Sequence, residues 1–234
     1  MMKSEINRIN SVYKQRSSQK TNALYKWHLD SSQYASSIKN RMISSLVFEM
    51  FGDNLSNLSV LDVGCGNGSF LRRLIEYGVI PCNLMGTEYI EDRVLSARSL
   101  THAEVKFHLG PLVELIKDRK YDLVCAHTVF SSILSSVERQ ELAKQMWDRV
   151  RPGGVIMIFD FRYNNPKNKN VSKVTKKELD CFWDKGCSYY KTDILMPPLA
   201  RRIVGKNWFI PEMLTMLFPF LRTHFVYAVK KNEY

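Results

Sequence analysis

The chain has 234 residues, of which 45% are hydrophobic, and it carries a net charge of +11 with an isoelectric point near 9.4. This is enough for one full hydrophobic core, and no apolar run approaches the roughly 20 residues of a membrane span. The five cysteines are odd in number and form no Cys-x-x-Cys pair, which argues against a zinc site and a disulfide framework. Because no secretory signal is visible either, we expect a cytoplasmic protein without a bound metal.

The net positive charge of the chain comes entirely from its two flanks. Residues 57–159 hold 12 basic and 12 acidic side chains, whereas residues 1–56 hold 8 and 4 and residues 160–234 hold 14 and 7. Such flanks favour a phosphate-bearing or otherwise anionic partner. A basic surface that is merely solvated explains the same numbers equally well.

Residues 1–56 are predicted to form a helical cap. The segment is polar up to Lys20, and helices are predicted over Asn22–Leu29 and Ser32–Phe51, the second from apolar residues near helical spacing. Four side chains of the cap are candidates for contacts with a cofactor or substrate, with ordinary packing as the alternative: Tyr13, Arg16, Tyr25 and Trp27.

Strands and helices alternate from residue 57 onward. The predicted strands are Val60–Val63, Leu84–Glu88, Glu104–His108, Tyr121–His127 and Val155–Asp160. The predicted helices are Ser69–Tyr77, Asp92–Ser99, Leu112–Lys117 and Val137–Val150. Right-handed crossovers between such units give a parallel sheet with helices on both faces. We therefore predict an α/β domain over residues 57–234, with residues 160–234 facing the substrate.

A glycine-rich turn follows the first strand in the pattern Asp62-x-Gly64-Cys65-Gly66-x-Gly68. Glycine accepts positive φ and lets the main chain approach a ligand, while free N–H groups of the next helix face that ligand. Glu88 ends the second strand about 20 residues later, where a carboxylate can accept both hydroxyls of a ribose. Each feature alone could be structural, but together they predict a bound nucleoside.

Four motifs in this order resemble the class I S-adenosylmethionine-dependent methyltransferases. They are the glycine turn, Glu88, Tyr121-Asp122-Leu123-Val124 and Val150-Arg151-Pro152-Gly153-Gly154. The resemblance implies a Rossmann-like, seven-stranded, mainly parallel sheet with an antiparallel last strand, here Thr223–Val229. It also implies S-adenosylmethionine as cofactor, held by residues of the turn and the strand ends: Asp62, Gly64, Cys65, Gly66, Glu88, Tyr89, Gly110, Leu112 and His127.

The third strand departs from the family pattern. Family members commonly have an acidic residue just after it that meets the adenine amino group, whereas this chain has His108-Leu109-Gly110-Pro111 there. Pro111 offers neither a carboxylate nor an N–H group. The adenine contacts are therefore left open by the sequence.

The C-terminal third resembles a bacterial methyltransferase subfamily associated with polysaccharide and surface-glycan biosynthesis. The similar segments are Asp160-Phe161-Arg162-Tyr163-Asn164-Asn165-Pro166, Pro197-Pro198-Leu199-Ala200-Arg201 and Leu221-Arg222-Thr223-His224. This resemblance implies O-methylation of a sugar hydroxyl in a nucleotide-activated or lipid-linked glycan precursor. It leaves open an RNA methyltransferase, a small-molecule methyltransferase outside glycan synthesis, and a protein that keeps the fold without turnover. Peripheral membrane contact and the oligomeric state are also left open.

Candidate catalytic residues follow from topology. Ligands of open α/β sheets bind beyond the carboxyl ends of the strands, where His127 and Asp160 end two strands and His224 lies near the start of the antiparallel one. A hydroxyl acceptor is a poor nucleophile while protonated, so we assign Asp160 or His224 as base and His127 as a third candidate.

Other roles remain open for some of these side chains. His127 could instead bind the cofactor or pack in the sheet. Three further residues are predicted to hold an anionic substrate, with surface salt bridges as the alternative for the arginines: Arg162, Tyr163 and Arg201.

Overall fold

The computed structural model describes residues 3–18, 26–115, 119–166, 168–183 and 188–233, and within the first helix it describes the side chains of residues 5–12. The helices of this part of the chain are α1 (Lys3–Ser18), α2 (Asp30–Phe51), α3 (Ser69–Glu76), α4 (Glu91–Leu100), α5 (Ser136–Arg149), α6 (Lys176–Phe182), α7 (Pro197–Ile203) and α8 (Phe209–Leu217). The strands are β1 (Val60–Val63), β2 (Leu84–Glu88), β3 (Lys106–Leu109), β4 (Tyr121–His127), β5 (Val150–Phe161), β6 (Ser188–Leu195) and β7 (Arg222–Lys230).

The seven strands of the described residues form one sheet in the order β3-β2-β1-β4-β5-β7-β6. The neighbouring strands among β1, β2, β3, β4 and β5 are all parallel to one another. Strand β7 runs antiparallel to both of its neighbours, β5 and β6. The predicted fold class is therefore confirmed, although β6 was not foreseen. The chain moves outward from β1 to β3 and then returns to β4, so the switch point that forms a ligand crevice lies at the carboxyl ends of β1 and β4.

Successive side chains of the central strands point to opposite faces of the sheet and build two cores. On what we call the first face, Met157 and Phe159 of β5 join a core that also contains α2, α3 and α7. On the second face, Ile156 and Ile158 join a core that contains α5 and α6. The position of a residue along a central strand therefore decides which helices its side chain can meet.

Helix α2 covers the first face. It was predicted over Ser32–Phe51 and extends two residues further at its start. Its buried side chains recur every three to four residues, as expected for a helix with one apolar stripe: Tyr34, Ile38, Met42, Ile43, Leu46 and Val47. Gly52 ends the helix with a φ of +76° and a hydrogen bond from its N–H to the Phe48 carbonyl.

Several elements differ from their sequence prediction. The polar start of the chain forms α1, which sequence periodicity did not indicate. Residues 26–29 form a turn rather than the end of a helix, and the rest of that predicted helix lies outside the described residues. After Pro111 only one 3₁₀ turn, Leu112–Glu114, forms in the described part of the predicted helix Leu112–Lys117. Among the described residues, no helix combines the length and apolar character that crossing a bilayer requires.

Candidate active site

The glycine turn after β1 adopts the backbone conformation that its sequence predicts. Gly64, Gly66 and Gly68 have φ values of +68°, +57° and +75°. A Cβ on Gly64 would lie 2.6 Å from Cγ2 of Val129, so this position excludes any side chain by packing as well as by conformation. A Cβ on Gly66 would meet a single neighbour, Nη1 of Arg93 at 3.8 Å. The space beside Gly66 is therefore open for a ligand to approach the main chain.

Glu88, at the end of β2, lies across this turn. Its Oε2 accepts a hydrogen bond of 3.0 Å from the Gly66 N–H, and its Oε1 accepts from the N–H groups of Tyr89 and Ile90 at 2.7 and 3.2 Å. The Arg93 guanidinium lies 3.6 Å from Oε2. These contacts fix the carboxylate while leaving it acceptor capacity for a ligand hydroxyl, because two ionised oxygens offer about four lone-pair positions.

Cys65 fills space inside the turn. Its Sγ lies only 2.6 Å from the position that a Cβ on Gly86 of β2 would occupy, so the thiol needs a glycine opposite it. Burial raises the pKa of the thiol, with the charges of Asp62 and Glu88 acting in the same direction. A thiol that stays protonated is a packing group and not a nucleophile.

The carboxylate of Glu114 lies beside the end of β3, and sequence analysis did not identify it. Gly110, with a φ of +139°, donates its N–H to the Glu88 carbonyl at 3.0 Å. The Glu114 side chain folds back to this glycine: its Oε2 lies 2.7 Å from the position of a Gly110 Cβ and 3.4 Å from Nε2 of His108. Because the 3₁₀ turn after Pro111 sets this approach, spacing along the sequence alone did not reveal it. Glu114 therefore provides a carboxylate beside the end of β3.

Tyr89 and Leu112, two other residues predicted to contact the adenine, differ from each other in their surroundings. Burial, together with the charges of Glu114, Glu138 and Glu88, raises the pKa of Tyr89 to about 12, so its hydroxyl is protonated near those carboxylates. The Leu112 side chain is 2% exposed and belongs to the core of the second face, while its carbonyl accepts a hydrogen bond from Arg149. Leu112 can therefore offer a ligand little besides its backbone.

Asp62 of β1 and Lys39 of α2 lie close enough on the first face for their charges to interact. Asp62 is buried, and burial raises the pKa of its carboxyl to about 7 even though the Lys39 ammonium acts to lower it. Lys39 comes from α2, and its Nζ lies 5.0 Å from the centre of the Phe159 ring. Sequence analysis did not single out Lys39, because a lysine next to the apolar stripe of a helix is ordinarily a surface residue.

His127 and His224 flank the same Phe159 ring. His127 contacts Phe159 and Phe70 edge-on, with ring centroids 6.3 and 4.5 Å apart. His224 stacks on Phe159 with centroids 5.4 Å apart and planes inclined by 18°. The register that pairs Phe161 with His224 brings these distant positions together. Both histidines and Lys39 therefore converge on one aromatic ring at the carboxyl edge of the sheet.

Both histidines are neutral at physiological pH. Burial, assisted by the nearby Lys39 charge, lowers the pKa of His224 to about 3 and holds the pKa of His127 well below its usual value. Nδ1 of His224 lies 2.9 Å from Oγ1 of Thr223, whose single hydroxyl proton is donated to the Ile194 carbonyl at 3.1 Å. Nδ1–H must then be the donor to Thr223, which leaves the lone pair on Nε2 of His224. Nε2 of His127 is buried and has no hydrogen-bond partner among the described residues.

Backbone strain lies beside both histidines. Thr128, the neighbour of His127, has a φ of +58°, and Ile194, whose carbonyl holds Thr223, has a φ of +69°. β-Branched residues rarely adopt this left-handed conformation, which costs roughly 1–2 kcal/mol per residue. Such strain clusters at functional sites, where the surrounding structure maintains it.

The structure separates Asp160 from the two histidines. Asp160 is fully buried on the second face, where Oδ2 accepts from the Ser131 N–H at 3.0 Å and Oδ1 from the Phe161 N–H at 2.8 Å. Burial raises the pKa of its carboxyl to about 6. The predicted convergence of three titratable groups thus holds for His127 and His224 only, because alternate residues of β5 face opposite ways. The contacts of Asp160 are those of a group that holds the segment after β4 and not of a base.

The predicted substrate residues lie near the same edge of the sheet. Nη1 of Arg162 donates to the carbonyls of Pro219 and Arg222 at 3.1 and 3.0 Å, so part of this guanidinium ties the approach to β7 onto the end of β5. Tyr163 lies under the Arg162 guanidinium and is half exposed. Arg201 is exposed on α7.

Of the four cap residues predicted to contact a cofactor or substrate, the structure describes the side chain of Trp27. Trp27 is 81% exposed and touches the neighbouring His28 ring. Tyr13, Arg16 and Tyr25 lie outside the residues and side chains that the structure describes. Helix α1 docks instead through Glu5, which accepts from the Leu134 N–H at 2.8 Å, and Arg8, which donates to the Ser132 carbonyl at 2.5 Å. Helix α1 therefore lies against the segment that follows β4.

A family model described as a methyltransferase domain matches residues 54–208. The chain belongs to this methyltransferase-domain family. The match spans the glycine turn, Glu88, Asp160 and Arg201, and it confirms the prediction of a methyltransferase domain that uses S-adenosylmethionine. The residues at the turn suit that cofactor, since Gly66 offers open space and Glu88 a carboxylate with acceptor capacity.

Relatives of this methyltransferase-domain protein act on different acceptors. Ubiquinone biosynthesis O-methyltransferase of Rickettsia bellii is 26% identical over 107 residues, which are 45% of this chain and 43% of that protein. Protein-lysine N-methyltransferase efm4 of Schizosaccharomyces pombe is 32% identical over 120 residues, which are 42% of this chain and 49% of that protein. The matched regions thus span less than half of either relative.

A solved structure shares the fold along nearly the whole chain. The N-methyltransferase NodS from Bradyrhizobium japonicum WM9, in complex with S-adenosyl-L-homocysteine, has a TM-score of 0.68 and 9% sequence identity. The likeness covers 95% of this chain and 98% of NodS. At 9% identity, this likeness shows the shared fold and does not identify the methyl acceptor.

Proposed function

We propose that this domain transfers the methyl group of S-adenosylmethionine to a hydroxyl oxygen, with Nε2 of His224 as the base. The observation that carries the proposal is the pair of neutral, partly buried histidines on either side of Phe159 at the carboxyl edge of the sheet. A neutral imidazole with its lone pair on Nε2 is the form that accepts a proton. Hydroxyl acceptors need such a base, because they are poor nucleophiles while protonated.

The cofactor would lie along the glycine turn. In this proposal Glu88 would accept the ribose hydroxyls, Glu114 would accept the adenine amino group beside Gly110, and Asp62 would face the amino group of the methionine part. Of the other predicted contacts, Gly64 shapes the turn, Cys65 packs within it and Tyr89 follows Glu88 towards Glu114. When bound, S-adenosylmethionine supplies a methyl carbon that carries the positive character of its sulfonium.

The residues of the chain then have two tasks. The crevice aligns the acceptor oxygen with the methyl carbon and excludes water, and good orientation alone can contribute roughly 7–11 kcal/mol. Nε2 of His224 takes the hydroxyl proton as the oxygen–carbon bond forms and the carbon–sulfur bond breaks, which leaves S-adenosylhomocysteine and a methyl ether. General-base catalysis is typically worth ~10²–10⁴-fold in rate when the pKa of the base lies near the operating pH. Because the pKa of His224 is lowered to about 3, it is a weak base, and we expect a gain at the lower end of that range. His127, which adjoins both Phe70 and Phe159, would position the acceptor or serve as second base.

Lys39 gives this pocket a positive charge. Its ammonium lies over Phe159 between the two histidines and favours their neutral forms. The same charge would stabilise negative charge that develops on the acceptor oxygen. An anionic acceptor fits this pocket and the basic C-terminal third, in which Arg162, Tyr163 and Arg201 are the candidate contacts. The resemblance of that third to glycan-biosynthesis methyltransferases makes a sugar hydroxyl of a nucleotide- or lipid-linked precursor our specific candidate.

An acceptor panel tests the proposal. The protein would be incubated with methyl-labelled S-adenosylmethionine and, in separate reactions, nucleotide sugars, lipid-linked glycans, phenols, RNA and a lysine-rich peptide. We expect label in a hydroxyl-bearing small molecule or glycan precursor, and loss of that label with His224→Gln. Labelling of the peptide alone, or of the RNA on base nitrogens alone, would contradict O-methylation, and label on a ribose hydroxyl of the RNA would contradict the glycan precursor as acceptor.

A further inference from the structure

Helix α8 presents its apolar side to solvent. Phe209, Met213 and Met216 recur at spacings of three and four along α8, so they share one side, and Phe220 lies in the turn that follows the helix. Phe209, Met216 and Phe220 are 69%, 68% and 66% exposed. The opposite side is buried through Pro211 and Thr215. A surface helix normally shows the reverse arrangement, with its apolar stripe towards the core.

The neighbouring residues extend this side into a continuous apolar surface. We define the α8 patch as the exposed large side chains of residues 208–220 that carry it: Trp208, Phe209, Met213, Met216, Leu217, Phe218 and Phe220. Four of the seven are aromatic, and the rings of Phe218 and Phe220 are in edge contact. Single exposed apolar residues are ordinary on a protein surface, but a clustered set of this size marks an interaction site.

The charged residues beside the α8 patch are mainly basic. Arg201, Arg202 and Lys206 are exposed on α7 and the turn between α7 and α8. The acidic residue of α8, Glu212, is already engaged by Arg41 of α2 at 3.0 Å. An apolar face with aromatic side chains and a basic rim is the pattern of a helix that lies in the interface of an anionic membrane.

We propose that the α8 patch docks the protein peripherally onto an anionic bilayer. The aromatic and aliphatic side chains would enter the headgroup region, while Arg201, Arg202 and Lys206 contact anionic lipid headgroups. A second copy of the chain is the poorer occupant, because each basic rim would then approach another rim of like charge. The net charge of +11 acts in the same direction.

The patch adjoins the carboxyl edge of the sheet. Pro219–Leu221 leads directly into β7, and His224 is the third residue of that strand. The two hydrogen bonds from Arg162 to the Pro219 and Arg222 carbonyls hold this junction against β5. A docked molecule would therefore hold His224 close to the membrane surface. This step rests on the proposed function and specifies a hydroxyl acceptor carried by a lipid, whereas the docking itself does not depend on catalysis.

Vesicle flotation without cofactor or acceptor tests the docking. The full chain would be mixed with vesicles of phosphatidylcholine alone or of phosphatidylcholine with phosphatidylglycerol. We expect flotation with the anionic vesicles and its loss in high salt or in the variant Arg201→Gln/Arg202→Gln/Lys206→Gln. The variant Phe209→Ser/Met216→Ser/Phe220→Ser should bind at least about tenfold more weakly, since it removes most of the inserted apolar area.

A matched control comes from exposed apolar residues elsewhere. Leu95 and Val137 are 55% and 73% exposed on α4 and α5, so Leu95→Ser/Val137→Ser removes apolar surface away from the patch and should float like the wild type. Circular dichroism would verify that all variants are folded. Absence of wild-type binding to anionic vesicles, or undiminished binding of the triple serine variant, would overturn the proposal. So would a wild-type dimer in sedimentation velocity that the triple serine variant abolishes while flotation is unchanged. Because no turnover is measured, failure of the proposed O-methylation would leave this result unaffected.

Discussion

The N–H group of Gly66 donates a 3.0 Å hydrogen bond to Oε2 of Glu88, which joins the turn after β1 to the end of β2. The other oxygen of Glu88 is held by the N–H groups of the two residues that follow it. The glycine turn and the carboxylate are therefore one preformed unit before any ligand arrives. Preorganisation of this kind lowers the ordering cost of binding.

Gly64→Ala is expected to destabilise the protein and weaken binding of S-adenosylhomocysteine. Its Cβ would lie 2.6 Å from Val129 at a φ of +68°. Gly78→Ala is the matched control, because Gly78 has a φ of +95° but no atom within 4 Å of its Cβ position. Conformational strain of roughly 1–2 kcal/mol is common to both variants, so Gly64→Ala should lose more stability than Gly78→Ala. Thermal melts and calorimetry would measure both effects, and equal behaviour of the two variants would contradict the close packing at Gly64.

Asp62→Asn is expected to stabilise the ligand-free protein at pH 8. The pKa of the buried Asp62 carboxyl is raised to about 7, so the folded state binds a proton more tightly than the unfolded state between about pH 4 and 7. Stability from this group therefore falls as pH rises through that range, and asparagine removes the loss. We expect the free energy of unfolding of Asp62→Asn, measured by chemical denaturation, to exceed that of the wild type by on the order of 2–4 kcal/mol at pH 8 and by less at pH 5. The same variant should bind S-adenosylmethionine more weakly, and a variant no more stable than wild type at pH 8 would refute the assignment.

His224→Gln is expected to lower kcat by ~10²-fold, the lower end of the range for a general base, while the affinity for S-adenosylhomocysteine stays within about twofold. Because the pKa of His224 is lowered to about 3, its neutral form persists on acidification. The wild-type rate should therefore show no loss from this group near pH 6.5, where an ordinary histidine would become protonated. Asp160→Asn is the comparison, with lower thermal stability expected because Asp160 holds the Ser131 N–H on the other face, and kcat largely retained. A larger kcat loss in Asp160→Asn than in His224→Gln would reverse the assignment.

Glu114→Gln tests the carboxylate beside Gly110. If Glu114 accepts the adenine amino group, the neutral amide should weaken binding of S-adenosylhomocysteine about tenfold, since hydrogen bonds to charged groups contribute about 1.5–3 kcal/mol. Binding of the inosine analogue, which lacks that amino group, should change little. An equal loss of affinity for both compounds would show that Glu114 acts only through the structure of the turn.

The features that the sequence predicted are those encoded by neighbouring residues. The strand that ends at Val63, the glycines with positive φ and Glu88 at the next strand end all follow from local patterns and spacing, and the mainly parallel sheet follows from the alternation of strands and helices. β6 was missed because its partly exposed residues show no continuous apolar run.

The side chains that the sequence could not assign depend on tertiary geometry. Lys39 reaches Phe159 only because α2 packs on the first face. Glu114 reaches Gly110 through a 3₁₀ turn of three residues. Asp160 and His224 end on opposite faces because of the register between β5 and β7, which neither segment encodes by itself.

The central claim is that the glycine turn and Glu88 bind the adenosyl part of S-adenosylmethionine. Calorimetric titration of S-adenosylhomocysteine into the wild type, Glu88→Gln and Glu141→Gln tests it most directly, because Glu141 is an exposed glutamate of α5. We expect saturable binding by the wild type and Glu141→Gln, and affinity at least about tenfold lower in Glu88→Gln, which keeps the shape but loses the charge that accepts the ribose hydroxyls. Equal affinities of Glu88→Gln and wild type, or no binding by the wild type, would contradict the account.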